Sequence, residues 1–157
     1  MKLLLDTTYL LPAIGISVKE LPRDALIRLI QRGNRICICD ISIFELSAKG
    51  AKYVSAGTLL PERVTRGIRA VVYDEAIETI PTYESKLLLT AFKIRSMLND
   101  FIDCLILSAA IDRCDILLTE DEDIQDLKKN REFNELRTTI NPKFKIQSLT
   151  ETVQLQR

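Results

Sequence analysis

Three stretches of the chain, KLLL at Lys2–Leu5, RICIC at Arg35–Cys39 and DILLT at Asp115–Thr119, are nearly continuous runs of leucine, isoleucine and cysteine. A strand with one wet face alternates apolar and polar side chains. A strand apolar at almost every position is covered on both faces, which is the habit of parallel sheets flanked by crossover helices. Two weaker runs, Ala76–Ile80 and Lys143–Leu149, bring the expected sheet to about five strands.

Between the strands the apolar period changes from two to that of a helix. Pro22–Gln31 carries Ala25, Leu26, Leu29 and Ile30 at helical spacing, and Gly33 stops it. Asp40 reads as an N-cap for a helix over Ile41–Val54, and Pro61 as the first residue of one running to Tyr73. Further helices are expected over Ser85–Met97, from Asn99 or Asp100 to about Cys114, and briefly after Asp121. Arg131–Pro142 reads as an irregular loop. Strands alternating with helices, joined by right-handed crossovers, predict a three-layer α/β/α fold with a central parallel sheet. Residues 1–150 are expected to form one domain and 151–157 a polar tail.

A carboxylate now follows the most buried strand, and it has company. Asp6 ends the first run. Glu45 lies one turn into the helix after the second. Asp103 lies early in the helix before the fourth, and Asp121 and Asp123 follow that strand in LLTEDED. In open α/β sheets the ligand crevice lies beyond the carboxyl ends of the strands. Acids gathered there would repel one another, and burial would raise their pKa values. A hard divalent cation such as Mg²⁺ takes oxygen ligands and relieves that repulsion. Each acid also has a bland reading. Asp6 could cap the turn Thr7–Leu10, Glu45 could pair with Lys49, Asp100 and Asp103 could serve a helix N-terminus, and Glu120–Asp123 could be a solvated turn.

The chain contains no histidine. That removes Ser-His-Asp and Cys-His catalysis and histidine metal sites, and leaves carboxylates, lysines, hydroxyls, thiols or an oxygen-held metal. Four cysteines, Cys37, Cys39, Cys104 and Cys114, form no CxxC pair, and Cys37 and Cys39 read as small buried residues. Lys plus Arg equals Asp plus Glu at 22 each, so net charge points to no partner. With 46% apolar and 28% charged residues the chain reads as globular. No apolar run approaches the ~20 residues of a membrane span, and the N-terminus lacks a signal-peptide pattern. The expected location is the cytoplasm.

Four pieces, LLLDTTYL, ISIFELSAKG, DFIDCLILSAAI and DILLTEDEDI, taken in this order over residues 1 to about 127, resemble the PIN domain. This is the metal-dependent nuclease family that includes the VapC-type toxins. The resemblance implies an endoribonuclease dependent on Mg²⁺ or Mn²⁺. It implies Asp6, Glu45, Asp103 and Asp121 as catalytic and metal-holding acids, with Asp123 as a fifth ligand. Thr119 would place its hydroxyl beside them. Asp100, one turn before Asp103, is the rival for its place, and the small face Ser108–Ala110 favours Asp103. The resemblance also implies a homodimer, with the helices at Pro61–Tyr73 and Ser85–Met97 as candidate faces, and, for a toxin, an antitoxin protein partner.

Lys49 and Lys52 share the helix face of Glu45 and are candidates for gripping RNA phosphates. Arg63, Arg66 and Arg69 form a second basic row, and Lys128, Lys129 and Arg131 a third; as solvated faces they need no ligand. Few aromatics lie near these rows, so phosphate contacts are expected rather than base readout. Two other readings compete with the nuclease. One is a PIN-fold RNA-binding or scaffold module without cleavage. The other is a receiver-like or phosphatase module, which needs clustered acids by the first strand where this chain has only Asp6.

Overall fold

Leu3, Leu4 and Leu5 have no solvent exposure, and strand β1 (Lys2–Leu5) that holds them is the centre of the sheet. The computed structural model describes residues 1–19 and 21–154. After β1 come a 3₁₀ helix (Thr7–Ile14), α1 (Ala25–Gln31), β2 (Arg35–Cys39), α2 (Asp40–Ser55), α3 (Pro61–Val72) and β3 (Ile77–Ile80). They are followed by α4 (Ser85–Ile94), α5 (Phe101–Arg113), β4 (Ile116–Leu118), α6 (Glu122–Asp126), a short 3₁₀ turn (Leu127–Lys129), α7 (Arg131–Ile140), β5 (Lys145–Gln147) and α8 (Leu149–Gln154).

The strands run in the order β3-β2-β1-β4-β5, and every pair is parallel. Their side chains alternate between two apolar layers, as the pleat requires. Leu4, Cys37, Cys39 and Leu117 face the layer built by α4, α5 and α7, with Leu87, Ala91, Ile106, Ala110 and Phe133. Leu3, Leu5, Ile36, Ile38 and Leu118 face the layer of the 3₁₀ helix, α1 and α2, with Tyr9, Leu10, Leu29 and Leu46. This is the three-layer parallel architecture expected from strands apolar on both faces. All four cysteines are buried and free. Among the described residues no helix is long and apolar enough to cross a membrane.

Two close approaches fix the layer over the 3₁₀ helix. A Cβ on Gly67 of α3 would lie 2.2 Å from the backbone oxygen of Ala13, so only glycine lets α3 settle there. A Cβ on Gly50 of α2 would meet Val64 Cγ1 at 2.5 Å.

The structure corrects several expectations. The segment read as a loop at Arg131–Pro142 is helical over Arg131–Ile140. Asn130 caps it, its Oδ1 accepting from Phe133 N–H at 2.9 Å, and Phe133, Leu136 and Ile140 turn one face to the core. The turn after Asp6 extends into the 3₁₀ helix, and the Asp6 side chain makes no capping bond to it. Asp40 opens α2 rather than capping it. Its Oδ1 accepts from Ile41 N–H at 2.7 Å and from Thr82 N–H and hydroxyl at 3.0 and 2.6 Å, fastening the chain after β3. The expected polar tail begins inside α8, where Thr152 is buried; residues 155–157 lie outside the described residues.

Candidate functional site

Strand β1 delivers Asp6 to the carboxyl edge of the sheet, and β4 delivers Thr119 next to it. The two strands are hydrogen-bonded there: Asp6 N–H donates to Leu118 O at 3.0 Å. Thr119 Oγ1 then donates to Asp6 Oδ2 at 2.8 Å and accepts from Asp121 N–H at 3.1 Å. One hydroxyl with no solvent exposure thus aims one carboxylate and positions the backbone of the next. Asp121 caps α6, its Oδ1 accepting from Ile124 N–H at 3.0 Å.

Glu45 reaches the same edge from α2. Its Oε2 accepts from the hydroxyl of Thr7, the first residue of the 3₁₀ helix. Its Oε1 lies 3.6 Å from Lys49 Nζ, so the pairing of residues four apart is present as well. Asp100 caps α5, its Oδ1 accepting from Ile102 N–H at 2.8 Å. Asp103, one turn on, is half-buried and has no hydrogen-bond or ion-pair partner among the described residues.

These acids feel one another. Burial pushes the pKa of Asp103 up to about 7, and the charges of Asp100, Asp6, Asp121 and Glu45 add to the rise. Asp6 is raised too, first by burial and then by Glu45 and Asp121, against the Thr119 bond and the Thr7 backbone N–H that favour its charged form. Asp6, Glu45, Asp103 and Asp121, borne by four separate elements, are thus close enough for their charges to act on one another. Asp123 is exposed, in the first turn of α6, and lines a groove of about 270 Å³ with Met97, Leu98, Asn99 and Asn130.

Among the described residues no group of three or more Asp, Glu or Cys side chains is placed so that it could hold a metal ion as it stands. The donor set still suits a hard cation. It is all oxygen and mutually repelling, and Mg²⁺ commonly takes one or two direct carboxylates and fills its octahedron with water and substrate phosphate. Such a cation offsets the charge that raises Asp103 and Asp6.

The basic rows divide. Lys52 is exposed on the helix that carries Glu45 and has no acidic partner among the described residues. Lys128, Lys129 and Arg131 are each taken up by an acid, Glu151, Asp126 and Glu135, as a solvated face would have it. Arg63 lies against the far end of the 3₁₀ helix. Thr7 acts beside the cluster more directly than its sequence context indicated, because a hydroxyl at the start of a 3₁₀ helix can face α2. Glu120, from the same acidic run, is structural: its Oε1 accepts from the Tyr9 hydroxyl and from Leu149 N–H.

Comparison with known proteins bears on the family and the fold. The model of the PIN domain family matches residues 3–130. No curated protein matches the chain. Among solved structures, VapBC2 from Rickettsia felis bound to a DNA fragment from its promoter is similar, with a TM-score of 0.60 and 18% identity over 94% of this chain and 98% of that one. DNA-bound VapBC from Salmonella typhimurium is similar with a TM-score of 0.57 and 21% identity, covering 95% of this chain and 98% of that one.

Proposed function

Because the chain belongs to the PIN domain family, we propose that it is an endoribonuclease dependent on Mg²⁺ or Mn²⁺, of the VapC toxin type. The observation that carries the reading is Asp103: a half-buried carboxylate without a hydrogen-bond or ion-pair partner among the described residues, raised to about 7 by burial and four surrounding acids. A fold has no structural use for such a group, and a cation site does.

Asp6, Glu45, Asp103 and Asp121 would hold the ion, with Asp123 reaching it only through a change in its exposed position. When bound, the divalent cation supplies Lewis-acid polarisation of the phosphodiester and a counter-charge to the carboxylates. The chain's own groups do the rest. Thr119 holds Asp6 in one orientation, and Thr7 does the same for Glu45. Asp103, which makes no hydrogen bond or ion pair to another described residue, would take the proton that the attacking water loses as its oxygen bonds to phosphorus, while the P–O bond opposite breaks and its departing oxygen takes a proton from solvent. Asp100 keeps α5 capped, so that Asp103 projects from a fixed first turn. Lys49 and Lys52 hold neighbouring phosphates.

Two similar solved structures are VapBC toxin-antitoxin complexes, which supports an antitoxin protein as partner for this chain. A homodimer is supported by α4, which exposes Leu89 and Phe92, the latter stacked on Phe101 at 5.8 Å. We place this assembly in the cytoplasm, with residues 1–150 as its one domain.

The test is cleavage of labelled RNA by the full chain with Mg²⁺, Mn²⁺ or EDTA, for wild type, Asp6→Asn and Asp103→Asn. Cleavage is expected with either metal and is lost with EDTA and in both variants. Activity that ignores EDTA, or survives in both variants, removes the metal-nuclease reading. No cleavage of any RNA, with no metal uptake by calorimetry, replaces it with a scaffold.

A further inference from the structure

The 3₁₀ helix that begins beside Glu45 leads away from the carboxylates to Gly15, whose φ of 97° turns the chain. Its eight residues, at about 2 Å each, put that far end roughly 16 Å from Asp6. A cavity of about 230 Å³ opens there, lined by Pro12, Gly15, Ile16, Ser17, Arg23 and Arg63. Two guanidinium groups from distant parts of the chain share it, and no carboxylate is among its described lining residues. Asp24, next to Arg23, is already engaged by Arg28 at 2.7 Å.

The bonds these arginines do make leave their charge in place. Arg23 Nη2 donates to Ser17 Oγ at 3.3 Å. Arg63 Nη1 and Nη2 donate to the backbone oxygens of Ala13 and Pro12 at 2.5 and 3.4 Å. Neutral acceptors orient a guanidinium without neutralising it. Gly15 keeps the opening clear: a Cβ there would sit 3.4 Å from Arg63 Cγ and 3.3 Å from Leu59 Cδ2. Two oriented guanidinium groups and a hydroxyl around one cavity match a tetrahedral oxyanion, and arginine forks match phosphate in particular.

We propose that Arg23, Arg63 and Ser17 form a notch that seats a backbone phosphate of the RNA strand, a few nucleotides from the bond cut at the acidic cluster. This rests on the ribonuclease reading above. The 3₁₀ helix is the spacer between the two sites. The notch reads no base; it sets the strand's path and favours substrates long enough to span both sites.

The test measures binding of 5′-labelled oligouridylate to the full chain in EDTA, by anisotropy over a salt series, for wild type, Arg23→Ala, Arg23→Glu and Arg63→Lys. Arg23 is exposed, so its variants should keep the wild-type melting temperature. Loss of one phosphate contact makes the slope of log K against log salt shallower by about 0.7. That change is expected for Arg23→Ala, with weaker binding still for Arg23→Glu. Arg63→Lys should weaken binding too, because a lysine cannot present the fork. Wild-type affinity and slope in both Arg23 variants would overturn the notch. So would polyglutamate competing as well as unlabelled oligouridylate, which would assign the cavity to a carboxylate-bearing protein partner. The metal-dependent cleavage assay separates the two ideas. Absent cleavage with the slope change intact removes the nuclease and leaves the notch; cleavage with unchanged slopes does the reverse.

Discussion

Helix α5 carries an aspartate at each end, and the two are treated in opposite ways. Asp103, in the first turn, sits where the helix dipole favours negative charge; Asp112, in the last turn, sits where it is disfavoured. The dipole alone would depress the first pKa and raise the second. The reverse is found. Burial and the neighbouring acids push Asp103 up to about 7. Burial also pushes Asp112 up, but Lys86 and Arg113 outweigh it and hold that carboxyl below its ordinary value. Arg113 Nε donates to Asp112 Oδ2 at 2.8 Å, Lys86 pairs with Oδ1, and Glu84 joins through Arg113. One end of the helix is balanced by Lys86 and Arg113; the other carries a carboxylate with no cationic partner among the described residues.

The sharpest way to break this contrast is to neutralise each acid in turn. Asp103→Asn should lower RNA cleavage by about 100-fold or more, the scale of losing a group that acts on developing charge. Asp112→Asn should cleave at close to the wild-type rate. Equal losses in the two variants, measured as kcat/KM on one labelled RNA, would mean that α5 matters only as a scaffold.

Metal should act at one end alone. At ten times its dissociation constant Mg²⁺ should stabilise wild type by about 1.4 kcal/mol, read as a higher melting temperature. Asp103→Asn should lose most of that gain, and Asp112→Asn should keep it.

Without metal, the two ends should give opposite dependence on pH. The native chain keeps the Asp103 proton up to about pH 7, while the unfolded chain releases it near 3.8. Native protein then binds more protons across that window, so stability falls as pH rises through it and is level above. Thermal melts in EDTA should show this slope in wild type and a flatter profile in Asp103→Asn. At pH 8 that variant should melt roughly 2–4 °C higher, about 1 kcal/mol once solvent screening is allowed for. Asp112 has the other sign: its contribution is present above 3.8 and is lost as pH falls through its lower native value. Asp112→Asn should cost about 1 kcal/mol or less at neutral pH, since its cationic partners are partly exposed.

Much of this was legible because burial writes itself into composition. Strands apolar on both faces announced a parallel sheet, and Asp6, directly after β1, was expected at its carboxyl edge. Where a side chain's direction depends on a local helix start, the sequence was silent. TEDED does not tell that Asp121 caps α6 while Asp123 lies exposed in its first turn. Nor does NDFID tell that Asp100 spends an oxygen on Ile102 N–H while Asp103 keeps both of its own. The helix α7 was missed because its apolar stripe, Phe133, Leu136 and Ile140, is thinned by charged and polar neighbours. Its cap, Asn130, was the signal available.

The bond between Thr119 and Asp6 joins residues from opposite ends of the family-matched region. The strand that aims the aspartate is made 113 residues after it. A growing chain therefore carries Asp6 without the partner that orients it until Thr119 has been added. On this geometry the orientation of Asp6 is set only when β4 docks beside β1.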